Sequence, residues 1–562
     1  MPEITGGEVV VRTLQAHGVD VVFGLPGVHA LAIYDALYAH PEVHHIAVRH
    51  EQTAAYMADG YARVTGRPGV CITTTGPGAA NTAAAMGTAY FDSVPILNVM
   101  SQVASNLVDR DKGALHEPKD QLGFFRAVTK WNARANNIEH IPAVLHEAFR
   151  TMLVERPRPT QVEVCTDHLA GKVDSEAVPW VTPPQSFPRR AAEPALVEEA
   201  AHALASAKAP IIWAGGGVNR AGAWEELARL AEVLQAPVVT TIQGLGAIPY
   251  DHPLALGYRP YDRALTPLVE RSDLLLAVGT RFAAGQTANW NLKLPARLIH
   301  IDIDEAEVGK SYPATLGLIG DARLVLGQLL EALGPPQASR ASDCWAGDVA
   351  ALRSQVAHNF KAAGPQEMAV LDDIRQAVDR DAILVWDQTK PAYWAARSFP
   401  VYEPRTVLYP GYGTLGYGFP TALGAKVGMP GRQVVCIVGD GGFQYALPEL
   451  ATAAQFGINV TVLLFNDSGY GILKVLQDMD FQSHYYAVDL LNPDFGRLTE
   501  AYGLSHIGLK AADGLGLALR RALESDRTTV IEVPVDFGRP TAWPMPPPRP
   551  PGKPRRRGRG RS

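Results

Sequence analysis

The stretch from Val434 to Leu473, VVCIVGDGGFQYALPELATAAQFGINVTVLLFNDSGYGIL, constrains the fold more than any other part of the chain. Val434 to Val438 is a short apolar run rich in β-branched residues, as a buried parallel strand should be. Gly439-Asp440-Gly441-Gly442 carries too many glycines for a regular element and predicts a loop. Pro448-Glu449 opens a helix, in the position that suits proline, and Gly457 closes it. Val460 to Phe465 predicts a second strand, ending in Asn466-Asp467-Ser468-Gly469. A parallel crossover is right-handed and puts both strands' carboxyl ends on one edge of the sheet, and neighbouring strands lie roughly 5 Å apart. Asp440 and Asp467 are therefore expected to converge in the crevice where open α/β sheets take ligands.

Two carboxylates at that edge make a hard oxygen site of the kind Mg²⁺ shares with phosphate oxygens. Glycines at 439, 441 and 442 let a phosphate approach backbone N–H groups. The unit is thus expected to hold a diphosphate through a divalent cation. A lone Gly-Asp-Gly also reads as a plain turn. A spacer of 24 residues followed by Asn-Asp, each motif at a strand end, is far more specific. This pattern resembles the thiamine diphosphate (ThDP) enzymes, which carry Gly-Asp-Gly, a spacer of this length and Asn-Asn. Here Asp467 stands in place of the second Asn, as in some catabolic acetolactate synthases. The resemblance implies Asp440, Asp467 and Gly469 as metal ligands. It also sets Gly439, Gly441, Gly442, Tyr470, Gly471 and Ile472 against the cofactor.

A second set of motifs lies near the start of the chain. Val21-Val22-Phe23 predicts a strand, Gly24 to Gly27 a tight turn, and Ala30 to Tyr38 a helix. In AVRHEQTAAYMADGYARVTG a strand ends at Val48 and Glu51 falls in the first turn of a helix. Ala54, Ala55, Ala58, Tyr61 and Ala62 give that helix a packed face. Taken alone, Glu51 reads as a carboxylate complementing a helix N-terminus. Gly69 to Thr73 is a further strand, and TTTGPGAAN turns into a helix of small residues that permit close backbone approach. RHEQTAAYMADGYAR followed by TTTGPGAANTAAAMGTAY is similar to the pyrimidine-binding domain of the acetolactate synthase and benzoylformate decarboxylase group. In that group the residue matching Glu51 contacts N1′ of the aminopyrimidine. Pro26, Gly27, Thr75, Gly76 and Asn81 are implied as cofactor contacts. VVFGLPG, AYFDSVPIL and the AVTKW near Lys130 extend the match.

Between these motif sets, residues 195–332 predict a further α/β domain with a Gly215-Gly216-Gly217 turn. It resembles the central domain that binds FAD in acetolactate synthase. The motif expected to read Gly-Met-His-Gly is Gly257-Tyr258-Arg259-Pro260, so flavin is expected to be absent or weakly held. Residues 168–194 and 334–367 read as linkers, the second with a helix. Upstream of the opening unit, GYGTLGYGFPTALGA resembles the family's GTMGFGLPAAIGA. By that match Gly413 backs the aminopyrimidine, and Leu415 is the aliphatic wedge beneath the cofactor; its bland reading is plain core. Lys390 replaces a Gln near the diphosphate.

The reading is therefore α/β, with three doubly wound parallel-sheet domains: pyrimidine-binding (1–167), central (195–332) and diphosphate-binding (368–537). Residues 541–562, Pro- and Arg-rich, are expected to be disordered, and residues 544–562 to be removable. Those 22 residues hold seven cations and no acid, so the rest carries −13 of the net −6 and offers no basic surface for nucleic acid. No run approaches 18 apolar residues, so no membrane span is expected. The acidic start, MPEITGGEVVVRTLQ, does not read as a signal peptide, and four scattered cysteines lead to the expectation of a reduced, cytoplasmic compartment.

The resemblance implies a ThDP- and Mg²⁺-dependent enzyme that decarboxylates a 2-oxo acid. The active site would lie between subunits of a homodimer or homotetramer. Glu51 would share a proton with N1′, and Leu415 would hold the cofactor bent. The His-His pair and Glu that pyruvate decarboxylases use to protonate their product are not evident, and Leu473 stands at the Glu position. This leans towards acetolactate synthase-like carboligation. The gating Trp of the biosynthetic enzymes is Leu476 here. Val28, His29, His116 and Gln121, beside expected pocket walls, resemble less characterised decarboxylases of the group, one of which acts on 5-guanidino-2-oxopentanoate. A simple decarboxylase is the first alternative, and a non-catalytic binding subunit the second.

Overall fold

The computed structural model describes residues 3–258, 262, 264–335 and 346–535. Arg259 and Pro260 of the central motif and the tail from residue 541 lie outside them. The chain divides into two compact units. One joins the segment ending at Arg189 to Ala369–Ala395 and to the chain from Val401 through its last strand, and the other holds Arg190–Met368 and Ala396–Pro400.

The first unit contains two six-stranded, all-parallel sheets. The N-terminal sheet runs, edge to edge, His44–Ala47, Val21–Gly24, Gly69–Thr73, Ile96–Gln102, Thr160–Cys165 and Trp131–Ala135. The C-terminal sheet runs Val407–Leu408, Ile383–Trp386, Val434–Gly439, Thr461–Asn466, Thr529–Pro534 and Ser505–Gly508. Numbered by their order along the chain, both read 2-1-3-4-6-5. The central strands are buried along almost their whole length, which explains their mostly apolar, non-alternating composition. In each sheet the order reverses between the first and third strands, and a crevice opens at such a point beyond the carboxyl ends.

Two helices join these sheets. Glu51–Thr65 lies against Gly418–Gly428 so closely that a Cβ on Gly60 would overlap the Thr421 carbonyl, and one on Gly424 the Met57 carbonyl. A buried polar cluster closes the same junction. Arg63 bridges Asp59 and Asp92 at 2.6 and 2.9 Å, Tyr417 Oη donates to Asp59, and the Gly411 N–H donates to Asp92.

The second unit holds one six-stranded parallel sheet of order 3-2-1-4-5-6, the arrangement of dinucleotide-binding folds. Its strands include Ala255–Tyr258 and Leu316–Ile319, which the sequence reading did not anticipate. The Gly215–Gly217 stretch is used for backbone packing. The Gly217 N–H donates to the Gly279 carbonyl at 3.0 Å, and Cβ atoms at 215 or 217 would collide with the Gly279 turn.

The first expected linker carries structure. Thr166–Ala170 is helical, and Lys172–Asp174 pairs antiparallel with the N-terminal strand Glu3–Thr5. The expected Gly-Asp-Gly-Gly loop is instead a short helix, Asp440–Gln444, starting directly at the strand end with Gly439 as its cap. The glycines sit at its N-terminus, where a missing side chain brings backbone and neighbours together rather than breaking the element. No helix among the described residues is long and apolar enough to cross a membrane.

Candidate active site

Each crevice of the first unit gathers one set of the sequence-selected residues. At the C-terminal sheet's reversal point, the loop after Ile383–Trp386, the helix start after Val434–Gly439 and the turn after Thr461–Asn466 line one cleft. Lys390, Gly413, Leu415, Gly439, Asp440, Gly441, Gly442, Asp467, Gly469, Tyr470, Gly471 and Ile472 all border it. Leu415 is a half-buried wall of that cleft, so the plain-core reading does not hold for it. Leu476 lies on the helix Gly471–Asp480 but is not part of the cleft wall, whereas Leu473 is.

Asp440 is 1% exposed. Its Oδ2 accepts hydrogen bonds from the Gly469 N–H at 3.0 Å and from Asn492 Nδ2 at 2.7 Å. Burial raises its carboxyl above the ordinary range, the Asn492 bond opposes that, and the nearby Asp467 charge raises it further. Asn492 also donates to Asn466 Oδ1 at 2.9 Å, tying the ends of both cleft strands together. Asp467 Oδ2 pairs with Lys390 Nζ at 3.0 Å. Two neighbouring carboxylates in a partly dry crevice are stabilised by a cation. This donor set suits Mg²⁺ and, beside the glycine turn, a diphosphate. Asp387, on the loop forming the opposite wall, is buried, and burial pushes its carboxyl up to about 6 against backbone N–H donors that include Gly418 and Gln388.

The second set sits at the reversal point of the N-terminal sheet. Glu51 opens its helix, is 8% exposed, and accepts a hydrogen bond from Asn81 Nδ2 at 2.9 Å through Oε2. Gly78 stands so near that its Cβ would lie 3.0 Å from Glu51 Oε1, and Gly27 packs on Thr74. Thr75 is fixed by Ser101, which accepts from its N–H at 3.0 Å. Gly76 has φ +65° and no room for a Cβ beneath the His116 carbonyl. Its N–H donates to Gln121 Oε1 at 3.0 Å, and Gln121 in turn donates to Glu163 at 2.9 Å. Gln121 thus holds the turn from behind. The rings of His29 and His116, 87 positions apart, meet edge to face with centroids 5.5 Å apart. Burial, then the neighbouring His116, lowers the pKa of His29. Pro26 and Val28 are exposed on the rim, Val28 at 61%.

No residue of the Glu51 group lines the cleft that holds Asp440. Sequence reasoning missed Asn492, Asp387 and Thr389 around that cleft; Asp387 and Thr389 lie within three residues of Lys390, whereas Asn492 is brought there by the fold alone. A separate group, Cys165, Asp167 and His168, lies close enough to share an ion. There burial pushes the thiol up to about 12, and Ser105 N–H and Oγ already donate to the Asp167 carboxylate.

The sequence matches three described domains: the thiamine pyrophosphate enzyme N-terminal TPP binding domain over residues 4–124, the central domain over 197–329 and the C-terminal TPP binding domain over 387–533. It is 39% identical to a probable 2-ketoarginine decarboxylase of Pseudomonas aeruginosa, over 94% of each chain. It is 36% identical to a probable acetolactate synthase large subunit of Methanocaldococcus jannaschii, over 97% of this chain and 93% of the relative. It is 35% identical to the acetolactate synthase isozyme 3 large subunit of Escherichia coli, over 97% of each.

Proposed function

The chain belongs to the thiamine pyrophosphate enzyme family, and from that premise we propose a ThDP- and Mg²⁺-dependent carboligase that decarboxylates a pyruvate-like 2-oxo acid and joins the product to a second carbonyl, as acetolactate synthases do. The observation that carries this reading is the pairing of a Glu51–Asn81 site with an Asp440–Asp467 cleft at equivalent points of two sheets of the same order.

When bound, ThDP supplies a thiazolium carbon that adds to the substrate carbonyl and accepts the electrons released with carbon dioxide. The chain's own residues bind, orient and exclude water. Asp440, Asp467 and the Gly469 carbonyl would hold Mg²⁺ against the diphosphate. Gly441 and Gly442 would let its oxygens reach backbone N–H groups. Glu51, held by Asn81, would share a proton with the pyrimidine N1′, and Leu415 would pack against the cofactor from the cleft wall. Leu473 and Ile472 offer apolar walls with no proton to give, which favours capture of a second carbonyl over protonation.

A complete site requires the Glu51 group of one copy to face the Asp440 cleft of another, hence a homodimer or homotetramer. The exposed Val28, Leu31, Leu115 and Phe124 on one side and Leu473, Met479, Phe481 and Tyr486 on the other support such an association. A reduced, cytoplasmic setting is supported by Cys71, Cys165 and Cys436, all free and buried.

The His29–His116 contact favours a second reading, simple decarboxylation, because paired imidazoles can deliver a proton. The relative named for 2-ketoarginine makes 5-guanidino-2-oxopentanoate the substrate to try. Product analysis separates the readings. Pyruvate alone should give acetolactate. Acetaldehyde, or turnover of the guanidino acid only, would replace the first reading with the second.

A further inference from the structure

Glu449 opens the crossover helix Glu449–Phe456 between the two cleft strands and is 0% exposed. Its carboxylate does not turn towards its own cleft. Oε1 accepts from the Arg49 N–H at 2.9 Å and from Thr53 Oγ1 at 2.6 Å, across 400 and 396 positions of sequence. Oε2 accepts from Thr452 Oγ1 at 2.5 Å. Arg49 and Thr53 stand two residues to either side of Glu51. One oxygen therefore clamps both ends of the five-residue turn whose middle member is Glu51.

The surroundings reinforce that clamp. Thr452 Oγ1 also lies 3.3 Å from the Ala47 carbonyl at the end of the preceding strand, and Arg49 Nη2 donates to Gln455 Oε1 at 2.5 Å. The helix cap is completed locally by His50, whose ring nitrogen accepts from the Gln52 N–H at 3.2 Å. A carboxylate at a helix N-terminus is favourable in itself. A fully buried one, with each oxygen hydrogen-bonded, fixes geometry rather than merely supplying charge.

We infer that Glu449 is a positioning residue for Glu51, holding the turn so that the Glu51 carboxylate meets the cofactor pyrimidine at a fixed height and angle. This rests on the reading of Glu51 given above. A shift of about 1 Å in a reacting group removes on the order of a hundredfold in rate, so a clamp on both flanks bears directly on turnover.

The test is a double-mutant cycle on the purified full chain with ThDP, Mg²⁺ and the 2-oxo acid it turns over. Glu449→Ala should lower kcat at least tenfold with KM changed by less than about threefold, because it disturbs the reacting group and not substrate binding. Glu449→Gln keeps an acceptor for Arg49 and Thr53 and should restore kcat to within about threefold of wild type. In the Glu51→Gln background, Glu449→Ala should cost less than about twofold, since a group acting through Glu51 has nothing left to position. Thr53→Val, which removes one arm of the clamp from the other side together with that hydroxyl's alternative bond to the His50 carbonyl, should lower kcat about threefold and covers the case where Glu449→Ala fails to fold. Equal losses in both Glu51 backgrounds, or full activity in Glu449→Ala and Thr53→Val, would overturn the inference. Wild-type turnover by Glu51→Gln would instead overturn the assignment of Glu51, and this inference with it.

Discussion

Lys390 Nζ lies 3.0 Å from Asp467 Oδ2, and both side chains are largely enclosed in the cleft wall. These are two positions at which the chain departs from the pattern it resembles, and the departures meet as an ion pair. A neutral Gln and Asn would present the same net charge to a diphosphate as this Lys and Asp do. The pair therefore keeps the electrostatics of the cleft while adding a second anionic oxygen for a metal.

That balance predicts coupled losses. Asp440→Ala or Asp467→Ala should weaken Mg²⁺ and ThDP binding together, by at least tenfold. Lys390→Gln alone should weaken ThDP about tenfold by leaving Asp467 uncompensated beside Asp440, and Lys390→Gln with Asp467→Asn should recover most of that loss. Calorimetric titration of ThDP with and without Mg²⁺ measures all four. No recovery in the double variant relative to Lys390→Gln would mean that the two charges act independently.

Glu51→Gln keeps the hydrogen bond to Asn81 available but cannot share a proton with N1′. The variant should fold and bind ThDP to within about threefold of wild type while turnover falls at least a hundredfold, the range expected for removing a positioned acid–base group. Steady-state rates beside ThDP titrations check it, and unchanged kcat would remove Glu51 from the chemistry.

How much of this was legible in the sequence differs from residue to residue. Asp440, Asp467 and Glu51 could be picked out because each sits just past a predicted strand, the first two in Gly- and Asn-containing turns at a fixed spacing and Glu51 at the start of a helix whose face is Ala54, Ala55 and Ala58. Asn492 was not, because its partners are a helix start, Asp440, and a strand end, Asn466, both distant in sequence, and nothing local marks it. The clamp by Glu449 was hidden for the same reason; the sequence showed only a good helix-starting Glu. The strand Lys172–Asp174 escaped because its partner Glu3–Thr5 lies some 170 positions away, and strand pairing at that range leaves no periodic signal. Gly439 to Gly442 were misread as a loop because glycine content reports backbone freedom, whereas at a strand end it served close packing around a helix start.

Flavin should be absent from the purified protein or weakly held. Gly257 adopts φ +77° ahead of a segment that departs from the flavin-contacting pattern, and the Gly215–Gly217 turn is engaged with Gly279. The visible spectrum decides this, and a stoichiometric yellow chromophore would contradict it.

Asp387 should make stability pH-dependent. Its ordinary value is 3.8, and burial raises it to about 6 in the fold. The folded chain thus holds the proton more tightly than the unfolded chain. The stabilisation is fully present below the unfolded value and is lost as pH rises through about 6. Asp387→Asn is close in size and does not titrate. Relative to that variant, wild type should lose about 2 kcal/mol between pH 4 and pH 7. Chemical denaturation at several pH values measures the difference, and a flat difference would show that the carboxyl is not raised.

The last prediction concerns the joint between the two sheets. The helices Glu51–Thr65 and Gly418–Gly428 approach so closely that only glycine fits at 60 and 424, each against a backbone carbonyl that cannot swing aside. Gly424→Ala should therefore destabilise by about 1–3 kcal/mol through overpacking, although alanine is the better helix former. Gly327 provides the control. It lies within the helix Ala322–Leu333 with nothing within 4 Å of a Cβ. Gly327→Ala should stabilise by about 0.5–1 kcal/mol. Because the first helix carries Glu51, the Gly424 variant should also lose turnover out of proportion to its unfolded fraction at assay temperature, whereas Gly327→Ala should leave kcat within about twofold. Thermal unfolding and kcat measured on both variants test the pair. If the two substitutions shift the melting temperature alike and leave turnover alike, the helix contact does not set the height of Glu51.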